Sequence, residues 1–83
     1  PNSAALAACY NNIASIYDHQ KNYAKALEFY EKARNIYRVE LGTNHPDLAK
    51  AENNTGLVYL KLNQNKEALQ CFQKAMSIGM KTL

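Results

Sequence analysis

The feature that most constrains the fold of this chain is a self-similarity at a fixed offset of 42 residues. The residues that coincide after this shift are Asn11 and Asn53, Asn12 and Asn54, Tyr17 and Tyr59, Ala26 and Ala68, Leu27 and Leu69, Lys32 and Lys74, Ala33 and Ala75, and Ile36 and Ile78. A repeat at one fixed period is typical of proteins built from stacked, identical units. The sequence therefore predicts one structural unit that occurs twice, over residues 1–42 and 43–83.

Apolar residues at spacings of three and four predict that each unit is a pair of helices. The polar segments HQKN at 19–22 and NQNK at 63–66 separate the helices within each pair. Connections this short make neighbouring helices antiparallel. The fold class predicted is all-α, with four antiparallel helices in two tandem hairpins that form part of an α-α superhelix.

The helix boundaries are predicted from local capping signals. Asn2 or Ser3 starts the first helix, which ends near Gln20, and the second helix runs from about Tyr23 to Leu41 before Gly42 stops it. Asn44 is the expected cap of the third helix, with Pro46 in its first turn. The fourth helix is expected to fray near Gly79.

The periodic residues also define a predicted core. The residues expected to face inward are Leu6, Cys9, Tyr10, Ile13, Ala14, Ile16 and Tyr17; Ala26, Leu27, Phe29, Tyr30, Ala33, Ile36 and Tyr37; Leu48, Ala51, Thr55, Val58, Tyr59 and Leu62; and Ala68, Leu69, Phe72, Ala75, Met76 and Ile78. The small residues Ala14 and Gly56 should allow close approach of a neighbouring helix.

Composition and motifs argue against several functions. A net charge of +3 favours acidic partners but lacks the dense basic clusters of a nucleic-acid-binding protein. The chain has no Gly-rich phosphate loop and no metal-ligand spacing, so we expect no enzyme activity, no cofactor and no metal site. It has no apolar run long enough for a membrane span, and Cys9 and Cys71 read as reduced thiols, so we expect a cytoplasmic protein.

The repeat resembles that of tetratricopeptide proteins. The family's pattern has a large residue, a hydrophobic residue, a small residue and a tyrosine at fixed spacing, followed by Ala-x-x-x-aromatic. In the first unit these positions are Tyr10, Ile13, Ala14, Tyr17, Ala26 and Tyr30. In the second unit they fall on Glu52, Thr55, Gly56, Tyr59, Ala68 and Phe72, where the first two depart from the pattern. Arg38 and Met80 replace the usual closing proline. The longer unit, with LGTNHPD between repeats, resembles the kinesin light chain class.

This resemblance implies that the first helix of each hairpin lines a concave groove that binds an extended peptide. The groove positions carried over are Ala8, Asn11, Asn12, Ser15 and His19 in the first repeat and Lys50, Asn53, Asn54, Leu57 and Lys61 in the second. The asparagine amides would bond to a peptide backbone whatever its sequence, and the lysines would attract acidic groups. The implied function is a scaffold for protein partners.

Other interpretations of the same residues remain open. The paired asparagines could instead bridge adjacent hairpins, which would make the chain a structural assembly module without a peptide ligand. A carboxylate clamp for chaperone tails is matched only by Lys50 and the asparagines. The tripeptide His45-Pro46-Asp47 also marks J-domains, although here a helical pattern follows at once, and the tyrosine series fits core packing better than base stacking.

Two repeats are fewer than the three that usually form a stable array. We therefore expect the outer faces of the hairpins to promote self-association. Two forms of homo-oligomer follow: contact through those faces, or exchange of a hairpin about the linker at 41–44.

Overall fold

The computed structural model describes residues 3–42 and 45–81, and within these it does not describe the side chains of 41 and 79–81. Helix α1 spans Ser3–His19, α2 spans Tyr23–Ile36, α3 spans Pro46–Lys61 and α4 spans Asn65–Lys81. A π-helical turn, Tyr37–Leu41, extends α2. No strand occurs in the part of the chain that is described. The prediction of an all-α fold made of two helical hairpins is confirmed.

The two hairpins turn in the same way. Lys21 and Asn63, which are 42 positions apart, both adopt left-handed backbone conformations, with φ of 64° and 62°. The following amides close equivalent bonds, from Asn22 N to Tyr17 O and from Gln64 N to Tyr59 O, each 2.9 Å long. This 6→1 bond satisfies a carbonyl at the end of a helix. The turns of the two hairpins, which the sequence repeat places 42 residues apart, therefore have the same geometry.

The start of α3 differs from the sequence prediction. His45, not Asn44, is the N-cap, and its Nδ1 accepts a hydrogen bond of 3.1 Å from the amide of Asp47. The His45 ring also stacks on Tyr37 with the ring centres 6.0 Å apart. Pro46 occupies the first turn as predicted. Asn44 lies outside the described residues, as does Asn2, the other predicted cap.

The second helix of each hairpin continues beyond the usual proline position. Gly42, with φ of +93°, stops the first of them as predicted. In the second hairpin α4 continues to Lys81, so the predicted fraying near Gly79 is wrong. Met80 keeps its backbone N–H where a proline would remove it, and this allows the helix to run on.

Small residues bring the helices close together around two apolar clusters. One joins Ala7, Ala33, Tyr37, Leu48, Ala51 and Ile78, and the other joins Ala14, Ala26, Tyr30 and Val58. Gly56 shows why a small residue is needed, because a Cβ atom there would lie 2.7 Å from the Phe72 ring. The prediction that Ala14 and Gly56 lie at close helix crossings agrees with this packing.

Part of the predicted core is exposed. Six residues expected to face inward have substantial exposure: Leu6, Cys9, Ile13 and Ile16 in α1, and Leu69 and Met76 in α4. The physical reason is that α1 and α4 are the outermost helices of the stack. Each has one outer side on which no neighbouring helix lies within the described chain.

Candidate functional site

Helices α1 and α3, the first helices of the two hairpins, both pack on α2 and run in the same direction. Near their C-terminal ends the Lys61 ammonium donates to the Asp18 carboxylate at 2.9 Å. Toward their N-terminal ends Ala7 of α1 shares an apolar cluster with Leu48 and Ala51 of α3. The two helices therefore border the same side of the molecule, and all of the sequence-predicted site residues belong to these two helices.

The four asparagines differ in exposure but share uncommitted amide groups. Asn12 and Asn53 are exposed, whereas Asn11 and Asn54 are half-buried. Within residues 3–42 and 45–81, no hydrogen bond engages the side chains of Asn12, Asn53 or Asn54. The Asn11 Oδ1 atom is buried and has no partner there. A buried polar atom without a hydrogen bond is costly, and this cost applies to Asn11 Oδ1. The exposed amides of Asn12 and Asn53 are open to solvent and so to a ligand.

Ser15 and His19 are bonded to their own hairpin. The His19 ring nitrogen Nδ1 lies 2.8 Å from the Ser15 carbonyl oxygen, and as the donor it must carry the proton. Burial raises the pKa of Tyr30 in α2, and the Asp18 charge raises it further, while a hydrogen bond with the Ser15 side chain acts in the opposite direction. Ser15 is therefore half-buried and turned toward α2, whereas His19 is exposed.

The remaining three residues all belong to α3 and are exposed. Leu57 offers an apolar contact with 43% of its side chain accessible. Lys61 is paired with Asp18 and lies over the Tyr23 ring, 5.9 Å from its centre. Lys50 makes no ion pair with any described residue. Of the two lysines, Lys50 is the one whose charge is not already neutralised.

Sequence reasoning missed a buried ion pair between the hairpins. Arg34 of α2 donates to Glu52 of α3 at 3.0 Å, and the two side chains retain only 10% and 2% exposure. The sequence repeat could have indicated this pair. The residue equivalent to Arg34 in the second repeat is Met76, and the residue equivalent to Glu52 in the first repeat is Tyr10, so neither charge is repeated. Both members of the pair depart from the repeat together, as expected when one charge requires the other.

Other chemistry is sparse in the described chain. Burial raises the pKa of the Cys71 thiol, although the Arg34 charge opposes this, while Cys9 is exposed and both thiols are free. The described residues contain no group of His, Cys, Asp and Glu side chains able to hold a metal ion. They also contain no helix that is both long and apolar enough to cross a bilayer.

These features define a class of protein: a helical-hairpin repeat whose first helices present polar side chains on a shared surface. The sequence profile described as Tetratricopeptide repeat matches residues 5–80. The chain belongs to this family.

One curated relative is Stress-induced-phosphoprotein 1 of Caenorhabditis elegans, which is 34% identical over 68 residues, or 82% of this chain. The aligned region spans 21% of that protein, so the chain corresponds to about a fifth of its length. The family is a protein-interaction scaffold, generally without enzyme activity.

Proposed function

We propose that this chain binds an extended peptide across α1 and α3, in the groove formed by Asn11, Asn12, Ser15, His19, Lys50, Asn53, Asn54, Leu57 and Lys61. The observation that carries the proposal is the set of uncommitted asparagine amides on two adjacent, parallel helices. Had these amides bridged the two hairpins, they would be bonded to one another or to the backbone. Their freedom favours an external partner.

The chemistry of the amide group suits an extended backbone. Each asparagine side chain donates through its NH₂ group and accepts through its carbonyl, so it matches a peptide C=O and N–H without reading the side chain. An extended strand repeats these groups every two residues on each side. Asn12 and Asn54 would therefore hold the ligand in place, and Leu57 would contact one of its apolar side chains.

Charge supplies a preference for acidic ligands. Lys50 is exposed and unpaired within the described residues, so it can bond a carboxylate of the ligand directly. Lys61 contributes less because Asp18 already holds it at 2.9 Å. The proposal includes no nucleic-acid or membrane partner. It places the chain among kinesin light chain-like repeats of the cytoplasm, where free thiols such as Cys9 and Cys71 are stable.

The test is a pair of substitutions, Asn12→Ala with Asn54→Ala. Fluorescein-labelled peptides selected from a random-sequence display library are titrated with the chain, and binding is followed by fluorescence anisotropy. We expect the double variant to bind at least about tenfold more weakly, because two backbone hydrogen bonds of about 1 kcal/mol each are lost. The midpoint of thermal unfolding should not change, because neither side-chain amide is hydrogen-bonded to any residue that the structure describes.

The matched control replaces two exposed amides on α4, Gln70→Ala with Gln73→Ala, and should leave binding intact. If the asparagine variant binds peptide normally, or if no peptide can be selected, the groove has no such function. A large fall in the unfolding midpoint would instead assign the asparagines to the scaffold.

The second candidate function is assembly through the outer hairpin faces, including self-association of the chain. The observation that favours it is the exposed apolar side chains on the outermost helices, of which Ile16 and Met76 retain 58% and 64% exposure. Contiguous exposed apolar surface commonly marks a protein interface. Light scattering that gives a monomer mass at high micromolar concentration would refute self-association.

A further inference from the structure

Comparing equivalent positions of the two repeats indicates what kind of surface the exposed face of α1 fits. Four residues of α3, Leu48, Ala51, Thr55 and Val58, are 2% exposed or less. Of these, Leu48, Ala51 and Val58 share apolar clusters with residues of the first hairpin. The equivalents of all four in α1, 42 positions earlier, are Leu6, Cys9, Ile13 and Ile16, and we call these four the α1 outer face. All four are exposed, with Ile16 at 58%. The α1 outer face thus has the register of a helix–helix interface, but none of the described helices covers it.

The last helix carries the other half of the same interface. In α2, Leu27 is half-buried and Arg34 is only 8% exposed, in the hairpin on which α3 packs. Their equivalents in α4 are Leu69 and Met76, which we call the α4 outer face, and these are 57% and 64% exposed. Two matching halves of one interface therefore lie at opposite ends of the molecule.

We propose that a second copy of this chain docks its α1 outer face on the α4 outer face of the first, in the arrangement that α3 takes on α2. The contact is head-to-tail and continues an interface that already exists within the chain. It joins two different surfaces, so each copy keeps one free face and further copies can add.

At the joint, uncharged contacts replace the ion pairs of the internal interface. Among the described residues, two ion pairs join the hairpins: Arg34 with Glu52 at 3.0 Å, and Asp18 with Lys61 at 2.9 Å. At the proposed joint, the first becomes Met76 against Tyr10 of the second copy. A methionine sulfur packs favourably against an aromatic ring, so both positions change together from ionic to apolar.

The second ion pair changes in the same manner. Asp18 is replaced at the joint by Leu60, and Lys61 by His19 of the second copy. Neither replacement leaves a carboxylate or an ammonium group without its partner. This absence of unpaired charge at both positions is what favours a second copy as the occupant, since desolvating a lone charge would prevent docking.

The inference deepens the assembly function proposed above and does not depend on peptide binding. Neither outer face includes any of the asparagines or lysines of the groove. Peptide binding and assembly can therefore fail separately.

The experiment uses two variants that block opposite faces. Met76→Glu places a charge on the α4 outer face, and Ile16→Glu places one on the α1 outer face. Both positions are more than half-exposed in the single chain, so folding should be retained, as circular dichroism will check. Val39→Glu is the matched control, because Val39 is 81% exposed and lies on neither outer face.

Sedimentation velocity then distinguishes the arrangements. The unmodified chain and Val39→Glu should associate in a concentration-dependent manner beyond the dimer. Each blocked variant alone should stay monomeric, with association weakened at least about tenfold by the buried charge. An equimolar mixture of the two should form a 1:1 heterodimer that grows no further. The unmodified α1 outer face of Met76→Glu meets the unmodified α4 outer face of Ile16→Glu, and both remaining faces are blocked.

Other outcomes overturn the inference in distinguishable ways. If the unmodified chain is monomeric, self-association and the head-to-tail joint both fail. If the chain associates but Met76→Glu still dimerises alone, the contact joins two α1 faces, and if Ile16→Glu does so it joins two α4 faces. If both variants still associate, the copies exchange hairpins instead. In these three cases self-association stands and the head-to-tail joint is wrong.

Discussion

Replacing Glu52 by leucine would leave the Arg34 guanidinium without a carboxylate at a site where its side chain is only 10% exposed. The opposite change, Arg34→Met, would leave a carboxylate that is 2% exposed without its partner. Breaking a buried pair by removing one partner costs about 3–5 kcal/mol. We expect Arg34→Met to be the more harmful of the two, because Glu52 is the more deeply buried group, whereas a long arginine can redirect its head toward water.

That loss is large relative to the stability of so short a chain. At roughly 0.05–0.15 kcal/mol per residue, a domain of this size has about 4–12 kcal/mol of unfolding free energy. A loss of about 3 kcal/mol would lower the unfolding midpoint by about 12–24 °C, since each kcal/mol shifts it by about 4–8 °C in a small domain. The double variant, Arg34→Met with Glu52→Leu, should lie within about 1.5 kcal/mol of the unmodified chain or above it, because no charge then remains buried.

Urea unfolding of the four proteins, followed by circular dichroism at low protein concentration, gives the double-mutant cycle. Low concentration keeps any self-association from adding to the apparent stability. The pair is strongly coupled if the double variant loses far less than the two single losses added together. Single losses below about 1 kcal/mol, or losses that simply add, would show that the pair does not hold the hairpins together.

Three further predictions follow from single features of the fold. Asp18→Asn releases Lys61 and should tighten binding of acidic peptides about two- to fivefold in anisotropy titrations, as suits a partly exposed ion pair, while affinity for neutral peptides stays the same; equal effects on both would refute the charge argument. Gly56→Ala should cost about 1 kcal/mol in urea unfolding despite its better helix propensity, because the new Cβ lies 2.7 Å from the Phe72 ring, and a gain in stability would show that the ring moves freely. Burial raises the pKa of four side chains: Cys71, Tyr30, Tyr37 and Tyr59. Well below pH 9 these groups are neutral in both states. As the pH rises through 9 and then 10 the unfolded chain ionises first, so the unfolding free energy should fall; a flat profile up to pH 11 would contradict this.

The sequence repeat predicted the hairpins well because a hairpin is determined by residues close together in the sequence. Turn residues, helix caps and apolar spacing are properties of short segments, and the equivalent left-handed residues Lys21 and Asn63 show that both hairpins obey the same local rules. The cap at His45 was missed because Asn is the commoner capping residue, whereas the histidine ring is also held by stacking on Tyr37.

Burial was predicted less well because periodicity identifies a face but not what covers it. Leu6 and Leu48 occupy equivalent positions, yet one is 45% exposed and the other 2%. The difference arises from position in the stack, which no local pattern encodes. The pairing of Lys61 with Asp18 was missed for the same reason, since it joins residues of two different hairpins.

The proposed peptide groove depends on the side-chain amides of its asparagines, and these amides can be observed directly. A ¹⁵N-labelled chain titrated with a library-selected peptide should show the side-chain NH₂ signals of Asn12 and Asn54 shifting in step with binding, as new hydrogen bonds to the peptide backbone form. If those signals stay in place while resonances of α2 and α4 shift, the peptide binds elsewhere and the account is wrong.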